Sequence, residues 1–259
     1  MERASGAPAA PAAARRASVT QIMSEIILTA GAVVLLFVVW YLWIGDAIIG
    51  AQRNDAGAAL TGQWQAEASQ DPLDPPAATE GDDASEPVVA EPVVLAEPAD
   101  GETFGVLRVP RFGDDYRFEI AGGVSRARTL DPIGIGHHPG TQMPGEPGNF
   151  VIAAHRTTWG GAFHRIGELQ LGDAIVVETR DGWYTYRFRT LEYVPPDRVE
   201  VLLPVPEAPG VPAGTAYITM ISCSPIGSMA ERIIAYGVFE SFTPRAAGPP
   251  TSVAAIEAA

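Results

Sequence analysis

The chain contains no lysine; all seventeen of its basic residues are arginines. Together with the many alanines and prolines, this bias points to a GC-rich coding sequence and says nothing about chemistry. Cysteine is almost absent as well. Cys223 is the only one, so no internal disulfide can form. Positive charge is scarce: 17 basic residues stand against 31 acidic ones, for a net charge of -14. That balance argues against a nucleic-acid partner. Much of the imbalance is local, because twelve acidic residues and no basic one lie between Arg53 and Arg108. The histidines, the cysteine and the carboxylates form no compact set at metal-ligand spacing, so neither zinc nor any other cofactor is expected.

One long apolar run is present. Residues 26–44 carry no charge, and as a helix they would be ~28 Å long, close to the ~30 Å hydrocarbon core of a bilayer. Trp40, Tyr41 and Trp43 cluster at its end like an interfacial belt. Arg3, Arg15 and Arg16 precede the run and Asp46 follows it. The positive-inside rule then makes residues 1–22 cytoplasmic, residues 23–46 a transmembrane anchor, and the remainder extracellular. No small-residue cleavage site follows the run, so an uncleaved anchor is expected in place of a signal peptide.

Residues 47–102 are rich in Ala, Pro, Asp and Glu and lack apolar periodicity, so they are expected to form a solvated, disordered linker. Beyond them, short apolar runs alternate with Gly, Pro and Asp, the pattern of an all-β domain over residues 103–243. Strands are predicted near residues 104–110, 116–120, 148–155, 173–179, 183–194, 216–222 and 232–242. The Asp181-Gly182 pair marks a hairpin between two of them. On the 183–194 strand, Tyr184, Tyr186 and Phe188 share one face and Thr185, Arg187 and Arg189 the other. A short helix is predicted around residues 162–169. Seven or so strands with little helix imply a closed or half-closed barrel. Residues 244–259 are expected to be a disordered tail.

Three reactive side chains fall at the ends of predicted strands. His155 closes the run Asn149-Phe150-Val151-Ile152-Ala153-Ala154-His155, Cys223 closes Tyr217-Ile218-Thr219-Met220-Ile221-Ser222-Cys223, and Arg232 opens the last strand. A rigid sheet presents groups well at such positions. A lone cysteine is more often a buried small hydrophobe, but the matching imidazole and guanidinium favour a nucleophile. The eight residues between Cys223 and Arg232 suit a loop joining antiparallel neighbours, which would set these two face to face. Only the fold can bring His155 near. In chemical terms Cys223 would attack a carbonyl, His155 would move protons, and Arg232 would hold the developing oxyanion.

The segments Gly134-Ile135-Gly136-His137-His138-Pro139-Gly140-Thr141 and Pro144-Gly145-Glu146-Pro147-Gly148-Asn149-Phe150-Val151-Ile152-Ala153-Ala154-His155-Arg156 resemble the signature of sortases. So does Cys223-Ser224-Pro225 followed by Arg232. The run His155-Arg156-Thr157-Thr158-Trp159-Gly160 is similar to class E sortases of high-GC actinobacteria. The resemblance implies an eight-stranded β-barrel and a membrane-anchored cysteine transpeptidase. It implies Cys223, His155 and Arg232 as the catalytic trio, with Ser222, Ile221, Thr219 and Trp159 as substrate-binding candidates. The implied partners are exported proteins with a C-terminal sorting signal and an amine of a peptidoglycan precursor or pilin. The sequence departs from the family where Ile221 replaces a usual hydroxyl residue and His138 a usual tyrosine, which bears on sorting-motif preference. A pilin-polymerising enzyme and a non-catalytic binding protein of the same fold are the alternatives.

Overall fold

The computed structural model describes residues 18–40, 44–70 and 90–257. The tip of the expected aromatic belt, Tyr41 and Trp43, lies outside those residues. Two compact units divide the chain, Met1–Ile44 and Gly45–Ala259. In the first, helix α1 (Val19–Val39) is capped by Ser18, whose hydroxyl accepts from the Gln21 N–H at 3.2 Å. An 18-residue stretch within its 21 residues has a mean hydropathy of 2.5, and by length and composition the helix can cross a membrane.

In the second unit eight strands close a barrel in the order β1-β2-β3-β4-β7-β8-β6-β5. They are β1 (Thr103–Arg108), β2 (Phe118–Gly122), β3 (Ile135–His137), β4 (Gly148–Ala154), β5 (Ala174–Thr179), β6 (Gly182–Val194), β7 (Ala216–Ser224) and β8 (Glu231–Pro244). The seven predicted strands are all present. The eighth, β3, has only three residues, too few for alternation to register. In place of the helix expected around 162–169 there is a single 3-10 turn, Ile166–Glu168. Most neighbours are antiparallel, but β2–β3 and β4–β7 run parallel.

The interior follows the two-residue period of a strand. Phe150, Ile152 and Ala154 of β4, Tyr184, Tyr186 and Phe188 of β6, Ile218 and Met220 of β7, and Ile233 and Ala235 of β8 all enter one core. Fully burying each large apolar side chain contributes roughly 1.5–3 kcal/mol. At the end of the barrel where Gly182 pairs with Pro244, Glu178 is 2% exposed and receives Arg108 at 3.2 Å and Arg245 at 3.0 Å. The Arg245 guanidinium also lies over the Trp183 ring at 4.5 Å.

That ion cluster corrects the expectation of a disordered tail. Arg245 ties the chain after β8 to the barrel, and a short helix, α3 (Thr251–Glu257), follows with Val253 buried against Val176 and Trp183. The expected linker over 47–102 is corrected too. Gly45–Gln70 forms a 26-residue helix, α2, with Gly57 and Trp64 buried against the barrel. Residues 90–102 run extended along the barrel surface. There the Gly140 N–H donates to Glu97 at 2.9 Å and Thr129 donates to Asp100 at 3.2 Å. Residues 71–89 lie outside the described ones.

Candidate active site

Strand parity places the three reactive residues on one surface. The inward residues of β7 are Ile218 and Met220, so Thr219, Ile221 and Cys223 point to the outer face. On β8 the inward residues are Ile233 and Ala235, which turns Arg232, Ile234 and Tyr236 outward. Cys223 and Arg232 are direct cross-strand partners, so the short connection between them does set the thiol beside the guanidinium. On β4, Phe150, Ile152 and Ala154 point inward, and His155, the next residue, is turned outward.

The parallel pairing of β4 with β7 sets the third member. The register runs from Gly148↔Ala216 to Ala153↔Ile221. Continued by two residues, it brings His155 level with Cys223. Two hydrogen bonds hold this junction. The Ser222 hydroxyl donates to the Ala154 carbonyl at 2.8 Å, and Arg156 Nη1 donates to the Cys223 carbonyl at 3.4 Å.

Each side chain has a defined environment. Cys223 is partly exposed and in no disulfide. Arg232 Nη1 donates to the carbonyls of Met229 at 3.1 Å and Glu231 at 3.0 Å. Its Nη2 and Nε have no protein acceptor among the described residues and can serve an incoming oxyanion. The His155 ring is hydrogen-bonded from Nε2 to Asp131 Oδ1 at 2.7 Å. A carboxylate only accepts, so Nε2 carries the hydrogen. Nδ1 is then the nitrogen available to exchange a proton with a thiol or an amine.

Asp131 is the residue that sequence reasoning missed. It follows a π-helical turn, Arg126–Leu130, and lies 24 positions before His155, with no spacing signal that links the two. Arg156 was legible only as part of a motif, and its bond to the Cys223 carbonyl follows from the β4–β7 register. The substrate-binding candidates divide in two. Ser222 and Thr219 are buried with their hydroxyls already donated, Ser222 to Ala154 and Thr219 to Asn149 Oδ1 at 2.7 Å. Asn149 in turn donates to the carbonyls of Val201 and Leu203, pinning that segment over β4 and β7. Ile221 packs partly buried beside Val201 and Ile234 on the face of Cys223, and Trp159 is 42% exposed.

Two other histidines, His137 and His164, make structural contacts. His137 is buried, stacked on Phe150 at 5.2 Å and bonded to the Gln142 carbonyl at 3.1 Å. Burial pushes its imidazole below the ordinary histidine value, against the opposing pull of that hydrogen bond. His164 Nδ1 is bonded to the Arg156 carbonyl at 3.1 Å. Among the described residues no three His, Cys, Asp or Glu side chains form a group that could hold a metal ion.

Comparison with known proteins gives the family of the barrel. A Sortase domain family matches residues 107–240. Sortase SrtE1 of Streptomyces coelicolor is 32% identical over 240 residues, covering 90% of this chain; the chain spans 61% of that protein's length. The solved structure of SrtA sortase from Actinomyces oris has 36% identity and a TM-score of 0.60, over 63% of this chain and 93% of that one. Sortase E1 from Streptomyces coelicolor, solved with a tripeptide in the active site, has 34% identity and a TM-score of 0.56 over 60% and 99%. Matched in sequence across its barrel and in three dimensions by solved members, the chain belongs to the sortase family.

Proposed function

We propose that the protein is a membrane-anchored cysteine transpeptidase that cleaves a C-terminal sorting signal after Thr and joins the new end to an amine. The observation that carries this reading is the outward alignment of Cys223 and Arg232 beside the end of β4, where His155 stands. The Cys223 thiolate attacks the threonine carbonyl. The oxyanion forms within reach of Arg232. His155 in its protonated form gives a proton from Nδ1 to the departing glycine nitrogen, and a thioester remains. An acceptor amine then attacks the thioester, His155 takes its proton, and the thiolate leaves as the amide forms. A peptidoglycan precursor is the proposed acceptor.

The remaining assignments belong to the same proposal. The catalytic domain spans 103–243, the N-terminus is cytoplasmic and the barrel is outside; Arg3, Arg15 and Arg16 before the apolar span support that orientation. Ile221 and Trp159 line the substrate path. A bulky Trp159 at the groove would crowd a kinked proline more than an alanine, which favours Leu-Ala-x-Thr-Gly over Leu-Pro-x-Thr-Gly.

The experiment is turnover of a sorting peptide with an amine, followed by mass spectrometry. Cys223→Ala should abolish it, and His155→Ala and Arg232→Ala should each lower it by at least ~100-fold. Full cleavage by Cys223→Ala would end the transpeptidase reading. Competing the two peptides in one reaction tests motif preference, and equal consumption would remove the preference alone. Protease applied to intact wall-stripped cells tests topology, and a protected barrel would reverse it.

A further inference from the structure

We propose that α2, the helix that follows the apolar span, is a positioning element of the active site, acting on His155 through Asp46, Arg53 and Asp131. The inference rests on the transpeptidase reading of His155 and adds to it what orients the ring.

One face of α2 makes the contacts. Asp46, Gly50, Arg53, Asn54, Gly57 and Trp64 recur at the three- and four-residue steps of a helical stripe, and each meets the barrel unit. At the N-terminal half of this stripe, two contacts fall on the two turns that bear on His155.

The first turn is residues 158–161, just beyond His155 in the chain. Four consecutive residues there have left-handed backbones, with φ of 68° at Thr158, 54° at Trp159, 87° at Gly160 and 50° at Gly161. Thr158 and Trp159 are not glycines, so this conformation needs contacts to hold it; within the turn the Gly161 N–H donates to the Thr158 carbonyl at 2.9 Å. Asp46 supplies another contact from α2. Its Oδ1 accepts the Gly160 N–H at 2.7 Å, an acceptor placed on the backbone donors that such a turn concentrates. The approach requires glycine at position 160, whose backbone is left-handed, while position 50 stands at ordinary contact distance. A Cβ on Gly160 would lie 3.0 Å from the Gly50 Cα, and one on Gly50 would lie 3.4 Å from the Gly160 oxygen.

The second turn carries Asp131. Arg53 Nη2 donates to the Asp131 backbone carbonyl at 2.9 Å, while the Asp131 side chain accepts from His155 Nε2 at 2.7 Å. The carboxylate therefore fixes which ring nitrogen holds the hydrogen; α2 holds the backbone that bears the carboxylate, and Arg126 Nε lies 3.6 Å from its Oδ1. Helix α2 thus grips both turns at once, one that receives the imidazole and one that leaves it. Trp159 belongs to the 158–161 turn, so the same grip sets the aromatic side chain at the substrate path. Asp131, Arg53 and Asp46 are positioning residues, since none of them needs to touch the reacting atoms.

The test uses the full-length protein in detergent, with peptide–amine kinetics and nitrogen-15 NMR of labelled histidine. In the parent, the His155 ring should show the tautomer with hydrogen on Nε2. Asp131→Asn should lose that tautomeric preference and lower kcat by at least ~10-fold with little change in KM. The loss should stay below the ~10⁴-fold seen where such a carboxylate is fully buried, because Asp131 is partly exposed. Asp46→Ala, which removes the acceptor of the Gly160 N–H, should raise KM by at least ~3-fold through Trp159, and thermal stability should change little. If Asp131→Asn fails to fold, Arg53→Gln, which leaves the carboxylate in place, should show the same weakening of the tautomer signal. Parent kinetics and parent tautomer in Asp131→Asn or its substitute Arg53→Gln and in Asp46→Ala, with His155→Ala inactive, would overturn the positioning role and leave the transpeptidase reading intact. Parent turnover in His155→Ala would instead remove the reading on which the proposal rests.

Discussion

Two glycines of α2 should respond to the same substitution with opposite signs. In an exposed helix interior, Gly→Ala stabilises by ~0.8–1 kcal/mol, because alanine has less backbone freedom to lose. Gly62 meets this condition, as a Cβ there would find nothing within 4 Å. At Gly57 a Cβ would lie 2.2 Å from the Arg117 oxygen and 2.8 Å from its carbonyl carbon. Both atoms are backbone and cannot rotate away. Restoring an ordinary contact of ~3.5 Å requires the helix to lift by about 1 Å. That lift stretches the bond from Arg117 N–H to Asn54 Oδ1, now 2.9 Å, and the Arg53 bond to Asp131, also 2.9 Å. Overpacking costs ~1–3 kcal/mol and each lost hydrogen bond ~0.5–1.5 kcal/mol, against less than ~1 kcal/mol of propensity gained. Gly57→Ala should therefore lose roughly 1–3 kcal/mol. For a unit of this size each kcal/mol moves Tm by about 2–4 °C. Thermal unfolding of the detergent-solubilised chain, followed by tryptophan fluorescence, should place Gly57→Ala several degrees below the parent and Gly62→Ala slightly above it. A Gly57→Ala protein as stable as Gly62→Ala would refute the close packing of α2 on β2.

Glu178→Gln should destabilise by ~3–5 kcal/mol, because it leaves Arg108 and Arg245 buried without their carboxylate; proteolysis should then clip the chain after residue 244. Turnover at low temperature should be nearly unchanged, since Gly182↔Pro244 and Val194↔Arg232 mark opposite ends of the β6–β8 ladder. His137 gives a pH dependence of stability. Its folded value is depressed by burial below 6.5, so its contribution is complete above pH ~6.5 and is lost as pH falls through the folded value. His137→Gln should flatten that part of the acid limb in a series of melting curves, and an unchanged limb would show that other groups set it.

The catalytic candidates were legible because they sit where apolar runs stop, and strand parity then follows from counting by twos. The barrel was legible from the same runs, apart from β3, whose three residues show no alternation. The rest was hidden because its contacts are not hydrophobic. The contacting face of α2 is Asp46, Gly50, Arg53, Asn54 and Gly57, with Trp64 its only large apolar anchor, so a search for an apolar stripe passes over it. Its docking relies on close backbone approach and hydrogen bonds, which hydropathy does not measure. The tail was misjudged for a related reason, since Arg245 enters the barrel end as an ion-pair partner and aromatic-stacking cation. Asp131 meets His155 only through the fold, and nothing in either segment names the other.

Parallel neighbours cannot be joined by a tight turn, and the β4–β7 pair brings together residues such as Ala154 and Ser222 that are 68 positions apart. Pairings of such sequence separation bear the full loop-closure entropy and form late. A chain that has made only its local hairpins therefore carries the Cys223 thiol, and even Arg232 beside it, without His155. In the proposed reaction Cys223 would gain His155 as its proton-transfer partner only when the barrel closes, so a nascent or partly unfolded copy would have no means to begin that reaction on whatever peptide it meets.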